Sequence, residues 1–333
     1  MSAAFPQEKV ISPIRGQGYD LPEGPALLIT GGNGFIGSNL IDRLEKDYDV
    51  CNLERYVTGR YVLGNDRAVK TVFADLRDYT AVKSAIRDIS PDYIIHLAAI
   101  SAVSYSYEHP HEVIDADFMG TVNLAEAALA GCPNLKQFLF ASTSEVYGNN
   151  PNVRTEETVV NPNSPYAVAK YASEKYLRYM VDAYSFPATI LRPFNTYGRT
   201  TNSHFVVERA IVQMLKGGPV RLGDPEPVRD MMYVDDHVNA YTTCLGNKKA
   251  IGELFNFCTG RGVTVKKLVE MAAGIAGYKG EIVWDAIPRR PLDIMYLVGD
   301  YSKAKSRLGW STKYKLEEGL KLTVEHWRKK MGG

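Results

Sequence analysis

With 333 residues the chain is long enough for two domains, or for one large α/β domain with an added lobe, and it can bury an ample core without disulfides or metal. Hydrophobic residues make up 45% and charged residues 23%, and 39 basic against 38 acidic residues leave a formal charge of +1. That balance excludes partners held by bulk charge, such as nucleic acid or anionic membrane, so an anionic ligand must be met by a few placed groups.

Four widely spaced cysteines (Cys51, Cys132, Cys244 and Cys258) form no CxxC pair and read as reduced core thiols of a cytoplasmic protein. Residues 1–25 are rich in Pro and Gly and are expected to form an irregular arm; they show no basic segment leading into an apolar one, so no signal peptide is expected. No stretch approaches the roughly 18 consecutive apolar residues of a membrane span.

From Ala26 the pattern alternates. Ala26–Thr30 reads as a strand and Phe35–Lys46 as a helix with Ile36, Leu40, Ile41 and Leu44 on one face. Further strands are predicted at Val50–Leu53, Thr71–Ala74, Tyr93–Leu97, Gln137–Ala141 and Thr189–Leu191, with long helices at Val113–Ala130 and Pro165–Tyr184. Apolar strands alternating with helices predict a doubly wound, Rossmann-type parallel sheet over residues 26–194, with later segments at about 234–258 packing back onto it. Beyond Pro193 the rhythm is irregular: a strand at Met231–Val234 and helices at Asp235–Leu245, Val265–Ala276 and Leu316–Lys329 suggest a smaller mixed α/β lobe over 195–330.

Thr30-Gly31-Gly32-Asn33-Gly34-Phe35-Ile36-Gly37 lies between the first strand and the first helix. Gly31 permits a tight turn, Gly34 lets backbone approach a pyrophosphate, and Gly37 allows close helix–strand packing at the positive end of the helix dipole. Glu54 follows Gly34 by about 20 residues, the spacing of an acid that binds the adenosine ribose hydroxyls. An acid there favours NAD over NADP, although Arg55 beside it could pair with a 2′-phosphate. Asp75 is placed to meet the adenine edge, or serves as a turn or helix-cap residue.

Tyr166-Ala167-Val168-Ala169-Lys170 puts a phenol and an ammonium on one helix face. A neighbouring cation stabilises a phenolate, and lowering a phenol from about 10 to near neutrality would make Tyr166 a base. Ser142-Thr143-Ser144-Glu145-Val146-Tyr147-Gly148 follows a predicted strand, at the strand end where ligands bind in open α/β folds.

These motifs resemble those of extended short-chain dehydrogenases/reductases, specifically the nucleotide-sugar epimerase/dehydratase family. The resemblance runs from Ala26 to about Trp327 and takes in His96-Leu97-Ala98-Ala99, Asp75-Leu76, Arg192-Pro193-Phe194-Asn195, Arg229-Asp230, Tyr233-Val234-Asp235-Asp236 and Asp300-Tyr301-Ser302-Lys303-Ala304-Lys305. It implies an NAD site that includes Phe35, Ile36, Leu76, Leu97, Ala98 and Ala99. It also implies that Thr143 bonds the sugar 4-hydroxyl, that Tyr166 removes its proton, and that Lys170 binds the nicotinamide ribose. Asn195, Arg229 and Arg290 would hold a nucleotide-sugar diphosphate, the arginines as bidentate, permanently charged donors. His96 reads as a core histidine, and no metal-ligand spacing is evident.

Glu145 discriminates between reactions. Simple 4-epimerases resemble this chain but usually lack a carboxylate there, whereas elimination across C5–C6 requires a base at C5. The expectation is a 4,6-dehydratase, with Ser144 in place of the aspartate many dehydratases carry, so the acid that protonates the leaving hydroxyl is Glu145 or a water relayed through Ser144. The alternatives are a UDP-glucuronate decarboxylase, whose second-strand loop Thr58-Gly59-Arg60 resembles, a 4-epimerase, or a non-catalytic NAD-sensing protein. Helices Val113–Ala130 and Pro165–Tyr184 resemble the pair that forms a four-helix homodimer interface in this family.

Overall fold

Leu27, Leu28 and Ile29 are completely buried, as befits a strand covered on both faces. The computed structural model describes residues 24–55, 69–201 and 203–332; residues 1–23 of the expected arm, the loop Thr58-Gly59-Arg60 and Asn202 lie outside the described residues. In chain order the first part runs β1 (Ala26–Thr30), α1 (Phe35–Leu44), β2 (Asp49–Glu54), β3 (Lys70–Phe73), α2 (Tyr79–Ile89), β4 (Tyr93–His96), α3 (Val103–Glu108) and α4 (Pro110–Ile114). A π turn (Asp115–Met119), α5 (Gly120–Gly131), β5 (Gln137–Ala141), a 3-10 turn (Ser144–Tyr147) and α6 (Pro165–Tyr184) follow. The remainder comprises β6 (Ala188–Pro193), β7 (Asn195–Tyr197), α7 (Val206–Lys216), β8 (Val220–Arg221), β9 (Val228–Tyr233), α8 (Val234–Cys244), β10 (Leu254–Phe257), β11 (Gly262–Thr264), α9 (Val265–Ala276), β12 (Ile282–Val283), β13 (Tyr296–Leu297), α10 (Ser302–Leu308) and α11 (Leu316–Gly332).

The seven-stranded main sheet has the order β10-β6-β5-β4-β1-β2-β3, and pairing is parallel through β5-β4-β1-β2-β3. This is the doubly wound Rossmann-type arrangement, and strand order reverses between β1 and β4, the switch point where such sheets bind ligands. The chain divides into two compact units: Met1–Ala141 with Val168–Ile190 and Leu245–Glu253, and Ser142–Ala167 with Leu191–Cys244 and Leu254–Gly333.

Within the first unit, α2 starts at Asp78, whose carboxylate accepts from the Thr80 and Ala81 amides, and ends at Ser90 in the left-handed conformation. Helix α1 stops two residues before the expected Lys46, because the Asp47 and Tyr48 amides both turn back to the Leu44 carbonyl. The helix expected at Val113–Ala130 is interrupted. It begins at Pro110, passes through the π turn, in which the Gly120 amide reaches the Asp115 carbonyl, and resumes as α5. The extra residue turns Asp117 into the core, and the Thr121 hydroxyl bonds the Asp117 carbonyl at 2.6 Å.

In the second unit β9 is central, with β7 and β13 parallel to it and β11 antiparallel. The strand expected at Met231–Val234 spans Val228–Tyr233, and Val234 already belongs to α8. Helices α7, α9 and α11 pack Val207, Ile211, Leu268, Val324 and Trp327 into one core. Helix α7 falls where the sequence read as irregular, although Val207, Ala210, Ile211 and Met214 are buried at helical spacing and Gly217 caps its end. The four cysteines are buried and none is in a disulfide. Among the described residues no helix is long and apolar enough to cross a membrane, and no group of three or more His, Cys, Asp or Glu residues is placed to hold a metal.

Candidate active site

In the first unit the glycine loop leaves β1 and enters α1. Gly31 has φ +73°, and a Cβ there would lie 2.9 Å from the Ala98 Cα, while a Cβ on Gly37 would lie 2.4 Å from the Gly31 carbonyl. Gly34 is the N-cap of α1 and offers no side-chain cap, the arrangement that suits a pyrophosphate at a helix start. The loop is fastened from β2: Asn52 Oδ1 accepts from the Gly32 amide at 2.9 Å, and Glu54 Oε1 accepts from the Asn33 amide at 2.6 Å. Burial raises the Glu54 carboxyl, against the bonds from Asn33 and Asn52. Sequence reading missed Asn52; its signal was a lone amide within an otherwise apolar buried strand.

Arg55 does not stand ready for a 2′-phosphate. It pairs with Asp75 at 3.0 Å and with Glu112 at 3.4 Å. Asp75 lies in the turn after β3 rather than in the strand, and Arg77 also grips it, Nη2 to Oδ2 at 2.7 Å. Burial would raise the Asp75 carboxyl, but the Arg77 bonds and the Arg55 charge hold it below its ordinary value. Leu76 is buried beside Gly120, and its carbonyl accepts from Asn123 Nδ2 at 2.8 Å.

The Leu97-Ala98-Ala99 segment is positioned by a buried chain of hydrogen bonds. The Ala98 amide donates to Thr30 Oγ1, Thr30 Oγ1 lies 2.7 Å from His96 Nδ1, and His96 Nε2 lies 2.9 Å from Thr121 Oγ1. Because the Thr121 hydroxyl proton goes to the Asp117 carbonyl, the consistent assignment is a neutral His96 protonated at Nε2. Burial pushes the His96 imidazole well below its usual range, which agrees with that tautomer and with a structural role. Lys170 is likewise buried, its ammonium 4.5 Å from the centre of the Phe140 ring. Burial lowers it to about 8, opposed by the charges of Asp117 and Glu174.

The second unit carries the remaining candidates. Thr143 caps the 3-10 turn, its Oγ1 accepting from the Glu145 amide at 3.2 Å, and Ser144 and Glu145 are both buried. Gly148 ends that turn at φ +61°, where a Cβ would strike the Asn161 carbonyl. Ser164 Oγ accepts from the Ala167 amide and Pro165 opens α6, fixing Tyr166 in its first turn. Tyr166 is buried one helical turn before Lys170.

Arg229 is buried on β9. Burial lowers its guanidinium, the charge of Glu145 opposes this, and Arg290 adds to it. Arg290 is tied to Asp293 through its Nε and its backbone amide, and Arg289 pairs with Asp224 at 2.9 Å. Asn195 begins β7, and its Oδ1 is buried with no hydrogen-bond partner among the described residues, which fits a site for a donor-bearing ligand. Asp230, next to Arg229, is a fastener: it accepts from the Thr259 amide and hydroxyl and from the Gly260 amide.

A dinucleotide loop with its acid in the first unit, a Tyr–Lys pair on one helix and a buried Thr-Ser-Glu turn in the second unit are the features of the NAD-dependent short-chain dehydrogenase class. The family model described as GDP-mannose 4,6 dehydratase matches residues 28–323, and the chain belongs to this extended epimerase/dehydratase family. Among curated relatives, a UDP-glucose 4-epimerase from Mycolicibacterium smegmatis is 34% identical, over 91% of this chain and 98% of its own length. A dTDP-glucose 4,6-dehydratase from Xanthomonas campestris is 31% identical, over 90% of this chain and 92% of its own. Among solved structures, UDP-glucose 4-epimerase from Thermotoga maritima with UDP-glucose superposes with a TM-score of 0.85 at 36% identity, covering 92% of this chain and 99% of that one. The Thermus thermophilus UDP-glucose 4-epimerase complex with NAD gives 0.83 at 32% identity, over 91% of this chain and 98% of that one. The chain is thus an enzyme of the NAD-dependent nucleotide-sugar epimerases/dehydratases, and NAD is its cofactor.

Proposed function

We propose that the enzyme is a nucleotide-sugar 4,6-dehydratase. The observation that carries this reading is Glu145, a carboxylate buried in the Thr143-capped turn of the unit that also holds Tyr166, Asn195, Arg229 and Arg290. The Asn195 side-chain N–H, Arg229 and Arg290 bind the substrate diphosphate, Arg290 exchanging Asp293 for a phosphate oxygen, and Asn195 Oδ1 is left to accept from a substrate hydroxyl. Gly31, Gly34, Phe35, Ile36, Gly37, Glu54, Asp75, Leu76, Leu97, Ala98, Ala99 and Lys170 hold NAD. When bound, NAD supplies the acceptor and later the donor of the electron pair moved in the redox steps.

The Thr143 hydroxyl orients the sugar 4-hydroxyl, and Tyr166, kept basic by the Lys170 charge, takes its proton. The resulting C4 ketone acidifies the C5 proton, which passes to Glu145. The C6–O bond then breaks, and the proton gained by Glu145 leaves with the C6 hydroxyl as water, restoring the carboxylate. Closing the resulting C5=C6 double bond takes a hydride at C6, which the bound cofactor would supply, and a solvent proton at C5, which Glu145 delivers. Ser144 stands next to Glu145 in the turn and is the hydroxyl through which a water can be relayed. A Glu145→Gln variant should still oxidise C4, seen as reduced-cofactor absorbance, but its dehydrated product should fall about 10²–10⁴-fold. Normal product formation by this variant would remove Glu145 from the reaction.

The second reading is a 4-epimerase. Ser144 favours it, because a hydroxyl there supplies no carboxylic acid for the leaving group, as do the relatives named UDP-glucose 4-epimerase.

A further inference from the structure

Arg154 is completely buried in the second unit, and the groups that meet its guanidinium are backbone carbonyls, not carboxylates. Nη1 donates to the Asn152 carbonyl, and Nη2 donates to the Tyr296 carbonyl at 2.6 Å and to the Gly148 carbonyl at 3.4 Å. Nε is buried with no hydrogen-bond partner among the described residues, and burial lowers the guanidinium. Taking a charge out of water without a counter-ion is costly, and an apolar side chain would fill the space without that cost. What an arginine adds is a planar fork of donors, which here reaches three carbonyls from two stretches of chain, at 148–152 and at 296.

Both stretches border the site. Gly148 ends the turn that carries Glu145, and Tyr296 begins β13, which lies beside β9 with Leu297 opposite Arg229. The backbone of residue 154 is fixed to the same strand segment: the Arg154 amide donates to the Val298 carbonyl, and the Asp300 amide donates to the Arg154 carbonyl. The turn is held a second time through Tyr147. Its hydroxyl donates to Asn256 Oδ1 at 2.8 Å, and Asn256 Nδ2 donates to the Arg154 carbonyl at 3.2 Å. Tyr147 and Gly148, the two residues at the end of the turn, thus both lead back to residue 154. We propose that Arg154 is a positioning residue, a strut that sets the Glu145 turn against the strand beside Arg229. This rests on the role proposed above for Glu145.

The test compares Arg154→Met, which keeps an unbranched chain and removes every donor, with Arg154→Lys, both as full-length, NAD-loaded protein. Amide hydrogen exchange without any sugar follows the Gly148 and Asn161 amides, which donate to the Glu145 and Val146 carbonyls. The Ile211, Leu268 and Val324 amides of the α7–α9–α11 core serve as the reference. In Arg154→Met the first two should exchange about tenfold faster while the core amides stay unchanged, and Arg154→Lys should recover part of the protection. Faster exchange in both sets, or in neither, overturns the proposal. So does failure of both variants to fold, since the side chain would then support the whole unit. Turnover is measured on whichever member of a panel of hexose nucleotides the wild-type enzyme transforms. There Arg154→Met should lower kcat about 10–10²-fold and leave KM within about twofold. An unchanged kcat, or a loss expressed in KM alone, also overturns the proposal. Local loosening in Arg154→Met, where the wild-type enzyme transforms no member of the panel, retains the strut and rejects the proposed function.

Discussion

Tyr166 is a buried phenol with a buried lysine one turn away, so replacing its hydroxyl should remove chemistry and leave the scaffold intact. Tyr166→Phe is expected to retain NAD and to lose about 10²–10⁴-fold in C4 oxidation, measured as single-turnover absorbance of the reduced cofactor. Wild-type rates in that variant would refute the role. The Tyr–Lys pair was legible because helical spacing places it on one face whatever the tertiary structure. Asp117 was not legible. One acid in a helical pattern carries no signal of burial, and a π turn brings it to zero exposure. The engagement of Arg55 was hidden for a related reason, since its partners Asp75 and Glu112 are brought to it by β3 and α4 and not by proximity in sequence.

At the scale of elements, the β1–loop–α1 junction is the most constrained piece of the cofactor half. A methyl group on Gly37 would stand 2.4 Å from a backbone carbonyl, too close for any rotamer change to relieve. Gly37→Ala should therefore abolish or severely weaken NAD binding, read by calorimetry; unchanged affinity would mean the loop is free to yield. Strand positions were readable from continuous apolar runs, and β5 and α6 start and end where their patterns do. The interruption before α5 was not readable. A single extra residue barely disturbs apolar spacing over a long helix, and what selects it is tertiary, the bonds from Thr121 and Ser173 to the Asp117 carbonyl. Short strands β7, β8, β12 and β13, two or three residues each, escaped because so few residues carry no detectable period.

For the whole molecule, a formal charge of +1 leaves local devices to manage two diphosphates. A glycine loop at a helix start serves one, and Arg229 with Arg290 serves the other in the proposed reading. Helix α6 also leaves Val168, Tyr179 and Tyr184 exposed, and Ile114 and Met119 are exposed just before α5. We propose that these faces pair in a homodimer. Light scattering at micromolar concentration should give twice the chain mass, and a monomer throughout would count against it. Elimination driven by Glu145 is tested by incubating the NAD-loaded enzyme in deuterated water with a panel of hexose nucleotides and analysing products by mass spectrometry. Elimination by this route gives a product that has lost one water and gained solvent deuterium at C5. A product of unchanged mass inverted at C4, or one that has lost carbon dioxide, would contradict it.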